Sequence, residues 1–161
     1  MNCEILSVGT ELLLGEIVNL DAQIITRGLN ELGINVFWQS VVGDNPARLR
    51  EAVDIARSRA DLIITTGGLG PTADDLTKET LAAAFGLPLV TDPVELRRLR
   101  ERMCPKMTDN NLQQADLPQG CTVLVNDWGT APGCAFEAAG KLVIMLPGPP
   151  RECEPLFRHR A

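Results

Sequence analysis

The strongest constraint on this chain is the way Leu62-Ile63-Ile64 runs into Thr65-Thr66-Gly67-Gly68-Leu69-Gly70-Pro71-Thr72-Ala73-Asp74-Asp75-Leu76-Thr77. The apolar triplet reads as a buried strand, and Leu76 to Phe85 reads as a helix. A glycine-rich turn between strand and helix suits phosphate oxygens. Glycine lets the backbone approach a ligand, and the first helical N–H groups are unpaired donors at the positive end of the dipole. The adjacent carboxylates Asp74 and Asp75 set this loop apart from a plain phosphate cradle. A carboxylate and a phosphate charge about 4 Å apart repel by roughly 4 kcal/mol at an effective dielectric near 20. A bridging Mg²⁺ turns that repulsion into attraction and polarises a phosphoryl oxygen. Glu11, Asp74 and Asp75 supply hard oxygen ligands of the required type. Plainer readings stay open beside these. Thr72-x-x-Asp75 also fits a capping box, and Glu11 also fits an exposed loop carboxylate.

Generic phosphate motifs fit poorly. The loop has no lysine before Lys78, which excludes a Walker A sequence. Gly68-x-Gly70-x-x-Ala73 matches the dinucleotide fingerprint only formally, because Pro71 sits inside it and it follows the third strand.

The chain before the loop alternates strand and helix. Cys3 to Val8 is a strand, followed by a loop over 9–16 with glycine at both ends. Asn19 caps a helix over Leu20 to Leu32, with Ile24, Ile25, Leu29 and Leu32 at helical spacing and Gly33 as its left-handed end. Asn35 to Val42 is a second strand. Asp44-Asn45-Pro46 opens a second helix with Leu49, Val53 and Ala56 on its buried stripe. This β-α-β-α-β-loop-α order specifies a three-layer α/β/α fold around a mostly parallel sheet with right-handed crossovers. Ligands of such sheets sit beyond the carboxyl ends of the strands, so the loops at 9–16 and 66–75 should share one edge.

The later part is less regular. Pro93 to Met103 reads as a helix ended by Pro105 and Met107, and Thr108 to Ala115 as a short amide-rich helix or turn. Cys121 to Val125 is a strand, and a second glycine-rich loop covers Asn126 to Gly133. Cys134 to Ala138 and Leu142 to Leu146 form a hairpin around Gly140-Lys141. Pro147-Gly148-Pro149-Pro150 then precedes a helix over Arg151 to Arg160. At 161 residues a single domain is expected, and its ending at that helix suggests part of a longer protein.

Composition narrows the function. A net charge of −6 with no Lys/Arg cluster argues against a nucleic-acid surface. Arg97, Arg98, Arg100 and Arg102 read as a solvated helix face. No apolar run approaches the ~20 residues of a membrane span, and no signal peptide opens the chain. The five cysteines, none at C-x-x-C spacing, read as reduced thiols of a cytoplasmic protein. A single histidine, His159, leaves no room for Ser-His-Asp, Cys-His or His-ligated zinc chemistry.

Five ordered motifs carry a specific resemblance over essentially the whole chain: Gly9-Thr10-Glu11-Leu12-Leu13-x-Gly15-x-Ile17, Val42-Gly43-Asp44-Asn45, Thr66 to Thr77, Gly129-Thr130-Ala131-Pro132-Gly133 and Leu146-Pro147-Gly148-Pro149-Pro150-x-Glu152. Together they resemble the N-terminal domain of the competence/damage-inducible CinA family. That domain is similar to the molybdopterin-binding domains of molybdenum cofactor biosynthesis proteins. The resemblance implies a metal-dependent ADP-ribose pyrophosphatase-like hydrolase, with Asp75, Asp74 and Glu11 as catalytic and metal-holding residues. Gly67, Gly68, Gly70, Thr72, Thr77, Thr130, Gly133 and Gly148 would hold the phosphates or ligand. Mg²⁺ or another divalent cation is the implied cofactor, and a small nucleotide or pterin phosphate the implied ligand. Two other readings accompany it: a molybdopterin-binding or adenylyl-transfer domain, and a non-catalytic oligomerising scaffold. Full-length CinA proteins also carry a C-terminal nicotinamide-nucleotide amidase domain, of which nothing is present here. A homo-oligomer is expected. The family pattern places a proline after the residue matching Asn126, whereas this chain has Asp127-Trp128. Trp128 is read either as a stacking platform for adenine or pterin or as packing for its own loop.

Overall fold

The computed structural model describes residues 1–104 and 106–161, so the break expected at Pro105 lies outside the described residues. The central sheet begins with β1 (Asn2–Val8), which is buried along almost its whole length. Its neighbours are β2 (Asn35–Val42) and β3 (Leu62–Thr66), and β3 in turn pairs with β8 (Lys141–Leu146), all parallel. β7 (Gly133–Ala138) runs antiparallel to β8, and β6 (Thr122–Leu124) antiparallel to β7, giving the order β2-β1-β3-β8-β7-β6. The hairpin between β7 and β8 turns at Ala139 and Gly140, both at positive φ, so Lys141 belongs to the strand.

Alternation along the strands divides the core into two faces. Cys3, Ile5, Leu62, Ile64 and Leu146 pack under α2 (Leu20–Glu31) and α7 (Pro150–Arg160). Leu6, Val8, Ile63, Val143 and Met145 pack under α3 (Pro46–Arg59) and α4 (Thr77–Phe85). The caps are local and follow the side chains. Asn19 accepts from Ala22 N–H to start α2, and Asn45 accepts from Arg48 N–H to start α3, with Pro46 at its first position. Gly33 and Gly86 supply the positive φ that ends α2 and α4. Leu49, Val53 and Ala56 are the buried stripe of α3. Glu4 is the one buried charge of β1; Arg59 grips it with two hydrogen bonds of 2.7 and 2.8 Å, and Ser40 donates a third.

Two features depart from the expected outline, and a third, the amide-rich stretch, follows it in finer detail. The loop after β1 contains a one-turn helix, α1 (Thr10–Leu13). The amide-rich stretch resolves into α6 (Asp109–Leu112) and a 3₁₀ turn over Gln113–Ala115. A separate antiparallel ribbon pairs β4 (Leu89–Thr91) with β5 (Asp116–Pro118) and flanks α5 (Pro93–Met103). Among the described residues, no helix is long and apolar enough to cross a membrane.

Candidate functional site

β1, β3 and β8 are adjacent and parallel, so the chain leaves all three at the same sheet edge, into Gly9, Gly67 and Pro147. From β1 the chain departs toward β2, and from β3 it departs toward the opposite side of the sheet. A crevice opens where connections diverge in this way. Two backbone bonds tie the loop roots together: Gly9 N–H to Val42 O at 2.9 Å and Gly67 N–H to Leu146 O at 3.1 Å. Between these loops lies a cavity of about 560 Å³. The loop after β6 closes its far side through Thr130 and Ala131.

The near wall is built by the loops after β1 and β3. Glycine here makes room for carboxylates. A Cβ on Gly9 would stand 2.8 Å from Glu11 Oε1, and one on Gly70 would stand 2.6 Å from Asp75 Oδ2. Asp75 Oδ2 accepts from Thr72 N–H at 2.9 Å and from Thr72 Oγ1 at 2.6 Å, while Asp75 N–H donates to Thr72 O. The aspartate therefore closes its own turn. It does not cap α4, whose N-cap is Leu76. Asp44 does the same for the first loop, accepting from Thr10 N–H and Oγ1, both at 2.8 Å. Gly67 and Gly68 take φ of 88° and 68°. Among the described residues, the N–H groups of Gly68, Leu69 and Gly70 donate to no protein acceptor. All three residues line the cavity, and successive free backbone N–H groups are a type of donor that binds anions where they converge.

The far wall depends on side chains from distant elements. Glu152 lines the cavity from the first turn of α7, and its Oε2 accepts from Asn126 Nδ2 at 2.9 Å. Asn126 is buried and also donates to Ala131 O at 2.8 Å. Arg98 and Arg102 of α5 both donate to Asn126 O, and Arg102 reaches Asp127 O and Gly129 O as well. Gln113 donates to Pro71 O at 2.8 Å, and Gln114 to Thr130 Oγ1 at 3.3 Å, so the 3₁₀ turn brackets the cavity between its walls. Lys78 Nζ donates to Gln113 O from below, and burial pulls its pKa down.

The structure brings most of the expected site together. Glu11, Gly67, Gly68, Gly70, Thr72, Asp74, Asp75, Thr130 and Gly148 all line the one cavity. Two expected residues do not. Thr77 is fully buried beneath the loop, where its N–H donates to Gly68 O at 3.2 Å and its Oγ1 lies against Gly68. Gly133 begins β7, where a Cβ would stand 2.7 Å from Met145 O, so it serves strand packing. Trp128 does not line the cavity either; it stacks on His159 with ring centroids 6.0 Å apart and packs its own loop. Arg98 and Arg102 are loop clasps, not a solvated face. Asp44, Gln114, Asn126 and Glu152 are the site residues that sequence reasoning missed. Asp44 and Glu152 stood inside quoted motifs, but only the fold shows which way they face.

The charge of the cavity is one-sided. Glu11, Asp44, Asp74, Asp75 and Glu152 line it, and no Lys, Arg or His does among the described residues. These carboxylates are spread around the walls. Among the described residues no three His, Cys, Asp or Glu side chains stand close enough to cage a metal. Glu11, Asp74 and Asp75 thus share a cavity without forming a preformed metal cage. Behind Glu11 a small side pocket of about 40 Å³ is lined also by Asn19, Asp21 and Thr66. Burial pushes Asp21 up to about 7, opposed by a hydrogen bond with the Cys153 thiol. All five cysteines are free thiols; Cys3, Cys134 and Cys153 are buried, and burial pushes Cys3 up to about 12.

Comparison with known proteins agrees with this fold. The family model described as "Probable molybdopterin binding domain" matches residues 4–161. A competence-damage inducible protein of Acetivibrio thermocellus is 56% identical over 160 residues, which cover 98% of this chain and 39% of the relative. A CinA-like protein of Dictyoglomus turgidum is 53% identical over 160 residues, with the same two coverages. The chain thus spans about 39% of the length of these curated relatives. The crystal structure of the protein CinA from Thermoplasma acidophilum, 36% identical, superposes with a TM-score of 0.91, covering 98% of this chain and 94% of that one. The molybdopterin biosynthesis enzyme MoaB from Thermus thermophilus, 22% identical, shares the fold at a TM-score of 0.63 over 97% of this chain and 86% of its own. The full-length family match and the similarity to CinA over both whole chains establish that this chain belongs to the molybdopterin-binding domain family, in its CinA branch.

Proposed function

We propose that the cavity binds a nucleoside diphosphate sugar such as ADP-ribose and hydrolyses its diphosphate bond with the help of a divalent cation. One observation carries this reading: Gly68, Leu69 and Gly70, whose backbone N–H groups donate to no protein acceptor among the described residues, line a cavity whose charged side chains are all acidic. Free backbone N–H groups favour phosphate oxygens. The carboxylates oppose them unless a cation stands between. Mg²⁺ keeps several waters and is commonly held by one or two carboxylates together with substrate phosphates, so it needs no cage of three protein ligands. Asp75 and Asp74, adjacent on one loop, are the residues that would hold it, with Glu11 elsewhere on the same cavity. When bound, it neutralises the diphosphate and polarises the attacked phosphorus. Gly67 to Gly70 orient the diphosphate, and the Thr72–Asp75 bonds keep the loop in one conformation.

The test is direct. The protein is incubated with ADP-ribose and Mg²⁺, Mn²⁺ or Co²⁺, and AMP and ribose 5-phosphate are measured. Asp75→Asn keeps an acceptor for Thr72 and leaves the turn closed, so a lost rate reports the charge. The expected fall is about 100-fold or more, the scale of removing one transition-state electrostatic contact. Absence of metal-dependent product, or an undiminished rate in the variant, removes this reading. A second reading, binding of a molybdopterin-type pterin phosphate or adenylyl transfer on it, is favoured by the family match over residues 4–161. Pterin binding without hydrolysis would promote it. Exposed Leu13, Leu14, Ile17, Val18 and Leu20 along the first loop support an apolar contact with a second copy or with the remainder of a longer chain. The free thiols fit a reducing cytoplasm.

A further inference from the structure

Glu152 occupies the third position of α7, where a glutamate ordinarily reaches back to the N–H of the N-cap residue. The N-cap here is Pro149, which has no N–H to offer. The side chain turns instead over Gly129, where any Cβ would collide with its carboxylate. Only 9% of Glu152 is exposed. Its Oε2 takes the Asn126 amide N–H at 2.9 Å. Its Oε1 has no hydrogen bond to protein among the described residues; the nearest cation, Arg151 Nε, is 3.9 Å away on a side chain that is 84% exposed. Glu152 lines the cavity with one carboxylate oxygen bonded and the other without a protein partner, so the second is free to accept a donor from a ligand.

Asn126 has no freedom to release it. Its Nδ2 serves Ala131 O and Glu152, its Oδ1 accepts from Trp128 N–H at 3.0 Å, and its backbone oxygen is held by Arg98 and Arg102. The turn that carries Glu152 also abuts the glycine loop: a Cβ on Gly148 would stand 3.1 Å from Gly67 Cα. Glu152 lines the same cavity as Gly67 to Gly70, so a group it touches shares that cavity with whatever the glycines hold. In a nucleoside diphosphate sugar the moiety adjoining the phosphates is a ribose, whose hydroxyls are the donors a carboxylate accepts from.

We propose that Glu152 contacts the ligand by accepting a hydrogen bond from a ribose hydroxyl, and that Asn126 is the residue that positions it. The assignment rests on the diphosphate reading of the cavity. Two non-hydrolysable probes separate sugar from phosphate: ADP-ribose with a methylene group bridging the two phosphorus atoms, and methylenediphosphonate, which has no sugar. Each is titrated calorimetrically with Mg²⁺ into the wild type and into Glu152→Gln. The substitution keeps shape and the bond from Asn126, but presents an N–H donor where an acceptor faced the cavity. Binding of the sugar-bearing probe weakens by about 10- to 100-fold, the scale of a hydrogen bond to a charged group, while methylenediphosphonate is unaffected. Asn126→Ala gives the same selective loss, and the double variant loses no more than Glu152→Gln alone. If Asn126→Ala does not fold, Glu152→Gln decides the ribose contact and Gly129→Ala, which displaces the carboxylate from above, tests its placement. Equal weakening of both probes, or of neither, overturns the ribose contact. Additive losses in the double variant overturn the role of Asn126. A wild type that binds neither probe overturns the diphosphate reading itself.

Discussion

On the near wall of the cavity each carboxylate is fixed by its own neighbourhood in the chain. Glu11 rests over Gly9, and Asp75 is tied to Thr72 three residues earlier. On the far wall Glu152 is fixed by Asn126, 26 positions away, and Asn126 by Arg98 and Arg102, 28 and 24 positions away. The near wall is therefore rigid through short loops rooted in β1 and β3. The far wall is rigid only while α5 stays docked. One cavity combines locally coded glycine loops with a tertiary support that sequence changes remote from the cavity can alter.

The largest effect that tests this contrast is expected at Gly67. Its φ is +88°, and a Cβ there would be driven into the Val8 carbonyl, which is backbone and cannot yield. Gly67→Ala should cost more than about 3 kcal/mol, or roughly 6–12 °C in Tm. Gly120→Ala is the control: φ is +80° but the space around it is open, so only the conformational cost of about 1 kcal/mol applies. Equal losses in thermal melts of the two variants would show that the near wall owes its rigidity to turn conformation alone.

Arg102→Ala tests the other wall. It removes donors to the carbonyls of Asn126, Asp127 and Gly129 from a partly solvated side chain. The expected cost is about 1–2 kcal/mol. Amide hydrogen exchange should accelerate over residues 126–131 and stay unchanged over 67–75. Parallel acceleration of both segments would mean that the two walls open as one unit.

How much of this was legible in the sequence follows the same division. The caps at Asn19 and Asn45, the glycine end at Gly33 and the stripe Leu49, Val53 and Ala56 depend on residues within a turn of one another, and all stand where their spacing puts them. The shared edge of the loops at Glu11 and Asp75 followed from the β-α-β alternation. The β4–β5 ribbon was not legible, because each strand has three residues and pairs with a partner across α5 and α6. Thr77 and Gly133 show a different limit. Each belongs to a loop motif, but whether a side chain at the motif's end faces ligand or core is decided by how α4 and β7 pack, which residue type does not encode. Asn126 and Glu152 needed both the α7 start and the α5 contacts to be recognised as a pair.

The last effect concerns a charge behind the near wall. Glu4 and Asp21 are both buried acids, yet Glu4 is paired with Arg59, whereas Asp21 has no cationic partner among the described residues and its Oδ1 has no hydrogen bond. Burial accordingly lifts the Asp21 pKa from 3.8 to about 7. Between those two values the folded protein holds a proton that the unfolded chain has released. Folding stability from this group is therefore fully present at acidic pH, falls as pH rises through that window and levels off above about 7. Asp21→Asn is uncharged at every pH and still accepts from Cys153. It should match the wild type near pH 4 and exceed it at pH 8 by about 1 to 4 kcal/mol, the upper figure being the whole shift and the lower one allowing for solvent in the side pocket. Melts of the two proteins over that pH range check it. Curves that stay parallel would place the Asp21 carboxylate in contact with water, through the side pocket it shares with Glu11, and the near wall would then be less dry than its packing implies.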